Sequence, residues 1–407
     1  MRVKSLALGA ILGVSAGSVA HGQQAAQLPV VGAERQFQFE GRVNAFYDTN
    51  ISRTSKAAAV GRGVNPEDWV VTPGVAASIV QPFGRQRLFL DGSAGYDFHR
   101  RNSKLDRGRY ELTAGGAASL GVCRPMAFGT YQAFQSDLAD VDLGTVSNLQ
   151  QATGVAAALD CGRPIGLSGS VVVRRVDTKN SAATMVLQDN TAETMVVGLR
   201  YGNPNLADVS LLWIYANNEF PNRIIPGRPV GDGFWTQTVG AQVERKLGAR
   251  INATAAVART YLKREFAPPG EQLDFSTNTY EGSLSYRAGT RILAELIGSR
   301  QVKPSNRPGK LYDVAENLEG RVRYRLNPRV NLVAGHIYAD VASNVDTIGA
   351  RQVLTNSRTN TTYGTIEYRG FQRASVQFQV RYEDRDTNLP VFNYSATRVG
   401  VTTTVGF

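Results

Sequence analysis

Tyr394-Ser-Ala-Thr-Arg-Val-Gly-Val-Thr-Thr-Thr-Val-Gly-Phe407 ends the chain and decides its fold. Counting back from Phe407, Val405, Thr403, Val401 and Val399 share one face, and Gly406, Thr404, Thr402 and Arg398 share the other. This is the period-2 alternation of a strand with one apolar and one polar side. The strand stops on a bare aromatic, as the closing strand of a bacterial outer-membrane barrel does. Phe407 is therefore expected to act as the assembly signal.

The opposite end agrees. Arg2 and Lys4 precede the apolar run Ser5 to Val19, and Ala20-His21-Gly22 offers small residues to a signal peptidase. Residues 1–22 are expected to be a signal peptide and 23–34 a short periplasmic segment, leaving 35–407 for the barrel. The apolar run is short for a membrane-spanning helix. Mean hydropathy is −0.22, a value compatible with a barrel that shows only alternate residues to lipid.

The same alternation recurs upstream. Phe37, Phe39, Gly41, Val43, Ala45 and Tyr47 oppose Gln38, Glu40, Arg42 and Asn44. Leu88, Leu90, Ala94, Tyr96 and Phe98 oppose Asp91, Ser93 and Asp97. Ala374, Val376, Phe378, Val380 and Tyr382 oppose Ser375, Gln377, Gln379, Arg381 and Glu383. A helix would scatter these residues around its circumference.

Eight short turns punctuate the strands, at 82–84, 123–125, 161–164, 202–205, 247–249, 288–290, 327–328 and 370–372. Long polar loops alternate with them, near 48–67, 99–108, 138–148, 177–191, 217–233, 262–276, 301–315, 340–361 and 385–393. Short turns at one end and long loops at the other mark the periplasmic and extracellular sides of an antiparallel up-and-down barrel. The turns give an all-β transmembrane barrel of about 18 strands, with 16 as the fallback. Trp213, Tyr215, Trp235, Tyr338 and Tyr394 lie near loop ends and are candidates for interfacial girdles.

Cys123 and Cys161 sit in matching contexts, Val122-Cys-Arg-Pro125 and Asp160-Cys-Gly-Arg-Pro164. An oxidising periplasm favours a disulfide between them. Read as turns of consecutive hairpins, they stand two strand spacings apart, about 9.6 Å, which a disulfide does not span unless the turns lean together.

The full chain carries a formal charge of +11. Nucleic acid, the usual partner of such a charge, is not what an exported chain meets. Arg174, Arg200, Arg321, Arg323, Arg381 and Arg398 fall on predicted lumen faces with Glu281, Glu295 and Glu367. They are the candidate pore-lining residues. Guanidinium groups bind carboxylates bidentately, so the set either attracts anionic solutes or builds an Arg–Glu ladder along the wall.

Catalytic and metal chemistry find little support. The chain has three histidines: His21 lies in the expected leader, His99 at a strand end and His336 on an apolar face. Gly166-Leu-Ser-Gly-Ser170 is not a nucleophile elbow, and no glycine-rich phosphate loop is present. No enzyme, cofactor or metal is expected. The expected surroundings are outer-membrane lipid, lipopolysaccharide and the barrel-assembly machinery.

Phe46-Tyr47-Asp48-Thr49-Asn50-Ile51-Ser52-Arg53 closes the first strand. It resembles the Tyr-Asp-x-Asn-Ile/Val-x-Arg signature of the β-barrel porin type-two family, outer-membrane barrels associated with exopolysaccharide and capsule systems. The resemblance runs loosely on through Asp68 to Tyr110 and to the terminal Phe407. It implies export of an acidic polysaccharide, with a separate periplasmic export scaffold as partner. Two other readings stay open: a general anion- or sugar-selective diffusion porin, and a structural or adhesive barrel plugged by its own loops.

Overall fold

The computed structural model describes residues 34–136, 138, 147–163, 165–203, 205–224, 231–266, 273–305, 307, 310–343, 354–370 and 372–407. The expected leader and almost all of segment 23–34 lie outside the described residues. Strands β1 (Gln36–Asp48), β2 (Asp68–Phe83), β3 (Gln86–His99), β4 (Arg107–Ala118), β5 (Cys123–Gln135) and β6 (Leu149–Gly162) are followed by β7 (Gly166–Asn180), β8 (Asn190–Asn203) and β9 (Ala207–Ile224). Then come β10 (Gly231–Leu247), β11 (Ile251–Arg264), β12 (Asp274–Ala288), β13 (Ile292–Pro304), β14 (Tyr312–Asn327) and β15 (Val330–Ser343). The last three are β16 (Asn356–Tyr368), β17 (Ala374–Thr387) and β18 (Tyr394–Gly406).

Each strand pairs antiparallel with its neighbours in sequence, and β1 pairs with β18 from Glu40↔Gly406 to Asp48↔Arg398. The 18-stranded sheet is thus closed. Closure removes the sheet edges that a bilayer could not solvate. A cylinder of this strand number is wide enough for an aqueous channel.

The alternation read from sequence sets the two faces. Phe37, Phe39 and Val43 of β1, Leu88 and Phe98 of β3, and Phe378, Val380 and Tyr382 of β17 all point outward and are exposed to lipid. Trp213, Tyr215, Trp235 and Tyr338 share the outward parity of their strands. Tyr394 does not. It shares the parity of Arg398, is 8% exposed, and its hydroxyl donates to Glu383 Oε1 at 2.7 Å. The ring supports the inner wall and belongs to no girdle.

The strands reach further into the loops than the sequence reading placed them, most of all in β9, which runs to Ile224. Pro125 lies inside β5, opposite Leu159, and the turn precedes it at 119–122. This corrects the geometry of the cysteines. Cys123 opens β5 and Cys161 closes β6, directly opposite in register. They are one strand spacing apart, with Cα atoms at 4.0 Å and the sulfurs joined at 2.11 Å.

Pro73 sits in mid-strand, where it lacks an N–H for the ladder. The β2–β3 pairing accordingly skips from Val71↔Phe98 to Gly74↔Gly95. Thr72 Oγ1 donates to Asp97 Oδ1 at 2.6 Å across the gap, a side-chain bond where the backbone makes none.

Candidate functional site: the lumen wall and its extracellular mouth

All nine candidate pore-lining residues have inward parity. Four of them fall in one register row that crosses neighbouring strands. Glu295 pairs with Arg321, Arg321 with Gly335, Gly335 with Tyr363, Tyr363 with Arg381, and Arg381 with Arg398, which faces Asp48 of β1. Sequence parity places each residue on its face. The register that aligns them comes from turn lengths and bulges.

Within this row most charges are paired. Arg321 Nε donates to Glu295 Oε2 at 2.7 Å. Arg381 Nη2 donates to Glu383 Oε2 at 2.5 Å. Arg398 Nε donates to Asp48 Oδ2 at 2.9 Å, and its guanidinium lies 4.3 Å from the Phe46 ring centroid. Tyr363 lies over Gly335 to reach the next strand but one, where its hydroxyl donates to Glu319 Oε1 at 2.8 Å. A Cβ at Gly335 would stand 2.5 Å from the tyrosine ring. This stretch of wall is a ladder of ion pairs and hydrogen bonds.

Outside the row, Arg200 pairs with Asp208 on β9, and Glu367 accepts from Asn331 Nδ2 at 3.2 Å and Arg369 Nε at 2.6 Å. Arg174, Arg323 and Glu281 differ. Among the described residues their side chains make no hydrogen bond or ion pair. Arg174 stands one residue pair from an apolar patch on the same inner face, built from Ala158, Val172 and Val196 with Met126 and Ile214. Arg174 and Arg323 belong to β7 and β14, well apart on the circumference.

The Tyr47–Arg53 stretch, read from sequence as a family signature, has a structural task. Asp48 is fully buried. Its Oδ1 accepts from Asn50 N at 2.9 Å, and its Oδ2 accepts from Arg53 Nη2 at 2.8 Å as well as from Arg398. Ser52 Oγ donates to Asn50 Oδ1 at 2.7 Å. Arg53 adopts φ 53°, an uncommon conformation for a residue with a side chain. The turn it makes brings its guanidinium back to Asp48 and to 5.6 Å from the Tyr394 ring centroid. The signature thereby fastens the first loop to the seam between the first and last strands.

That loop then crosses to others. The short helix α1 (Lys56–Gly61) is capped by Ser55, whose N–H donates to Val391 O of the last loop at 3.0 Å. Arg62 Nη1 donates to Ser52 O and to Leu138 O, each at 2.8 Å. Val64, Leu105, Leu138 and Met185, from four different loops, share one apolar core. Asn148 Nδ2 donates to Ser136 Oγ and Asn180 Oδ1, each at 2.8 Å. A second core, Phe220, Phe234, Leu262, Val302 and Leu311, joins the extracellular ends of β9 to β11 and of the β13–β14 hairpin. These two lobes gather at the long-loop end of the barrel, and sequence reading missed both.

Phe407 is 76% exposed. Its N–H donates to Phe39 O at 2.9 Å, so the ladder with β1 continues to the final residue.

No family model matches the chain, including any for the polysaccharide-associated family that its signature resembles, and no curated protein matches it. Solved structures do match. The crystal structure of Pseudomonas aeruginosa OccK2 (OpdF) gives a TM-score of 0.51 at 13% identity, covering 92% of this chain and 98% of that one. A BenF-like porin from Pseudomonas fluorescens Pf-5 gives 0.51 at 11% identity, covering 92% and 99%. The outer membrane protein opdK from Pseudomonas aeruginosa gives 0.50 at 11% identity, covering 91% and 98%. At these identities the likeness is one of fold: the chain has the architecture of outer-membrane porins along nearly its whole length. With its closed cylinder and apolar exterior, it is an outer-membrane β-barrel.

Proposed function

We propose that the protein is a diffusion pore that favours small anionic solutes, carboxylates in particular. The observation that carries this reading is the pair of inward guanidiniums, Arg174 and Arg323, that no described carboxylate neutralises. Unpaired guanidiniums raise the local concentration of anions and bind carboxylates bidentately. Arg323 is exposed and Arg174 half-buried, so a solute can trade water for contact with each and leave again, as conduction requires. OccK2, which shares this fold at 13% identity with a TM-score of 0.50, has been crystallised in complex with glucuronate. A sugar of that size and charge suits the same chemistry here.

Polysaccharide export, which the signature implied, gains nothing from the comparisons. The matched structures include porins such as the BenF-like one, and the signature residues Asp48, Asn50 and Arg53 hold a loop. The plugged-barrel reading has one observation in its favour: two loop lobes lie at the extracellular mouth.

Liposome swelling with purified protein tests the proposal. Glucuronate and short monocarboxylates should enter faster than neutral sugars of equal size, and Arg174→Gln with Arg323→Gln should remove the difference. Equal rates for charged and neutral solutes in the wild type would reject anion preference. No swelling with any solute would favour the plugged barrel.

A further inference from the structure

The periplasmic rim carries its positive charge on one side. Three consecutive short turns are each bracketed by two cations. Lys246 and Arg250 flank the β10–β11 turn, Arg287 and Arg291 the β12–β13 turn, and Arg325 and Arg329 the β14–β15 turn. One cation therefore stands at the periplasmic end of each of six adjacent strands, β10 to β15. All six are exposed, and among the described residues their side chains make no hydrogen bond or ion pair. Backbone bonds hold them side by side: Arg287 N donates to Arg250 O at 2.7 Å, and Arg325 N to Arg291 O at 2.8 Å. Like charges on such neighbours cost stability by themselves.

Parity separates these cations from lipid. Leu247, Tyr286, Ile292 and Leu326 alternate with them and are exposed on the outer face. Lys246, Arg287 and Arg325 pair with Asn252, Leu293 and Asn331 on the inner face. Arg250, Arg291 and Arg329 each precede an outward residue, Ile251, Ile292 and Val330. The arc thus borders the lumen mouth and the periplasm rather than the headgroups.

Few carboxylates offset it. Glu244 has the same parity two residues before Lys246, but Glu295 bonds Arg321 and Glu367 bonds Arg369. On β5 to β9 the rim mixes signs instead: Arg124 stands opposite Asp160, and Arg200 pairs with Asp208.

We propose that the arc docks an extended acidic segment of a periplasmic protein, with carboxylates on alternate residues each taken by one cation. Strands about 4.8 Å apart and tilted about 40° reach the rim at intervals of about 6 Å. Side chains on one face of an extended peptide recur at about 6.8 Å, so the spacings match over six strands and about ten residues. Guanidinium forks bind carboxylates bidentately. A folded partner would need an apolar centre to its interface, and a sugar chain would seek apolar or aromatic surface. The next inward residues, Asn252, Ser285, Leu293 and Asn331, include no ring and a single apolar side chain. The chain's own residues 23–34 contain one acidic residue, Glu34, so the segment comes from another protein. The docking does not rest on the diffusion-pore reading.

Fluorescence anisotropy with the full barrel in detergent tests it. The probes are a labelled decapeptide alternating Glu with Ser, and its Gln-for-Glu counterpart. The Glu peptide should bind, with affinity falling about fivefold or more between about 50 and 300 mM salt, and the Gln peptide should not. K246Q/R250Q/R287Q/R291Q/R325Q/R329Q should weaken binding about tenfold or more. R175Q/K179Q/R358Q, which removes exposed cations at the extracellular end, should bind as the wild type does. Equal binding of the two peptides by wild-type protein overturns the docking without recourse to any variant. So does unchanged affinity in the six-site variant. Tighter binding of an oligogalacturonate of equal charge overturns it in favour of an acidic sugar chain.

Discussion

The two lobes at the extracellular end are built differently. The first, from the loops after β1, β3, β5 and β7, has a small apolar core of Val64, Leu105, Leu138 and Met185 held in a dense polar mesh. Arg62 reaches two backbone carbonyls. Asn102 Nδ2 donates to Asn65 O at 3.0 Å and to Asp68 Oδ2 at 2.8 Å. Asp48 gathers Asn50, Arg53 and Arg398. The second lobe has a larger aromatic and aliphatic core, and beside it a fully buried ion pair joins Arg223 Nε to Asp232 Oδ2 at 2.8 Å. Hydrogen bonds are directional and satisfy buried groups in one geometry alone, whereas apolar contact is non-directional and tolerates sliding. The first lobe is thus fixed chiefly by its polar mesh, and the second draws more of its hold from apolar burial.

The sharpest way to break this contrast is Asp48→Ala. It removes the fully buried carboxylate that Arg53 and Arg398 share, and breaking a buried pair from one side costs about 3–5 kcal/mol. Unfolding in detergent should shift by that order, and limited proteolysis should open residues 51–66 before the barrel melts. If those residues remain protected, the mesh is not what fixes the first lobe.

Leu262→Ala is the counterpart in the second lobe. Leu262 is 1% exposed, and truncating a buried leucine costs about 2–5 kcal/mol. Here the first loop should stay protected while the β13–β14 hairpin gains hydrogen exchange. Exchange rising equally in both lobes would show that they form one unit.

Gly335→Val sharpens the comparison from lower on the wall. Added carbon atoms meet the Tyr363 ring and force it off Glu319, an overpacking cost of about 1–3 kcal/mol. The thermal midpoint should fall with neither lobe altered in exchange. An unchanged midpoint would mean that Tyr363 finds another resting place.

Much of the barrel was legible because a lipid-facing wall imposes strict alternation. Leu88 to Phe98 and Ala374 to Glu383 declare both faces by themselves. Tyr394 shares the parity of Arg398, which places its ring inside; the attraction of aromatics to interfaces obscures this in the sequence. Cys123 and Cys161 were misplaced because Pro125 reads locally as a turn, while the ladder takes it as a strand residue. The pairing of charges depends on register, so Arg321–Glu295 and Arg200–Asp208 could not be told in advance from the unpaired Arg174 and Arg323. The lobes were hidden for a stronger reason. Arg62 meets Leu138 across 76 residues of sequence, and no local pattern encodes such a contact. The one signal at hand was the density of Asp, Asn, Ser and Arg in 48–53, which was read as kinship when it also describes a buried turn.

The reversal potential of single channels in a salt gradient decides whether the lumen selects anions. An open, aqueous channel should reverse at a potential that favours the anion, and should shift toward the cation in Arg174→Glu with Arg323→Glu. A wild-type channel that prefers cations, or a double variant with unchanged selectivity, would contradict it.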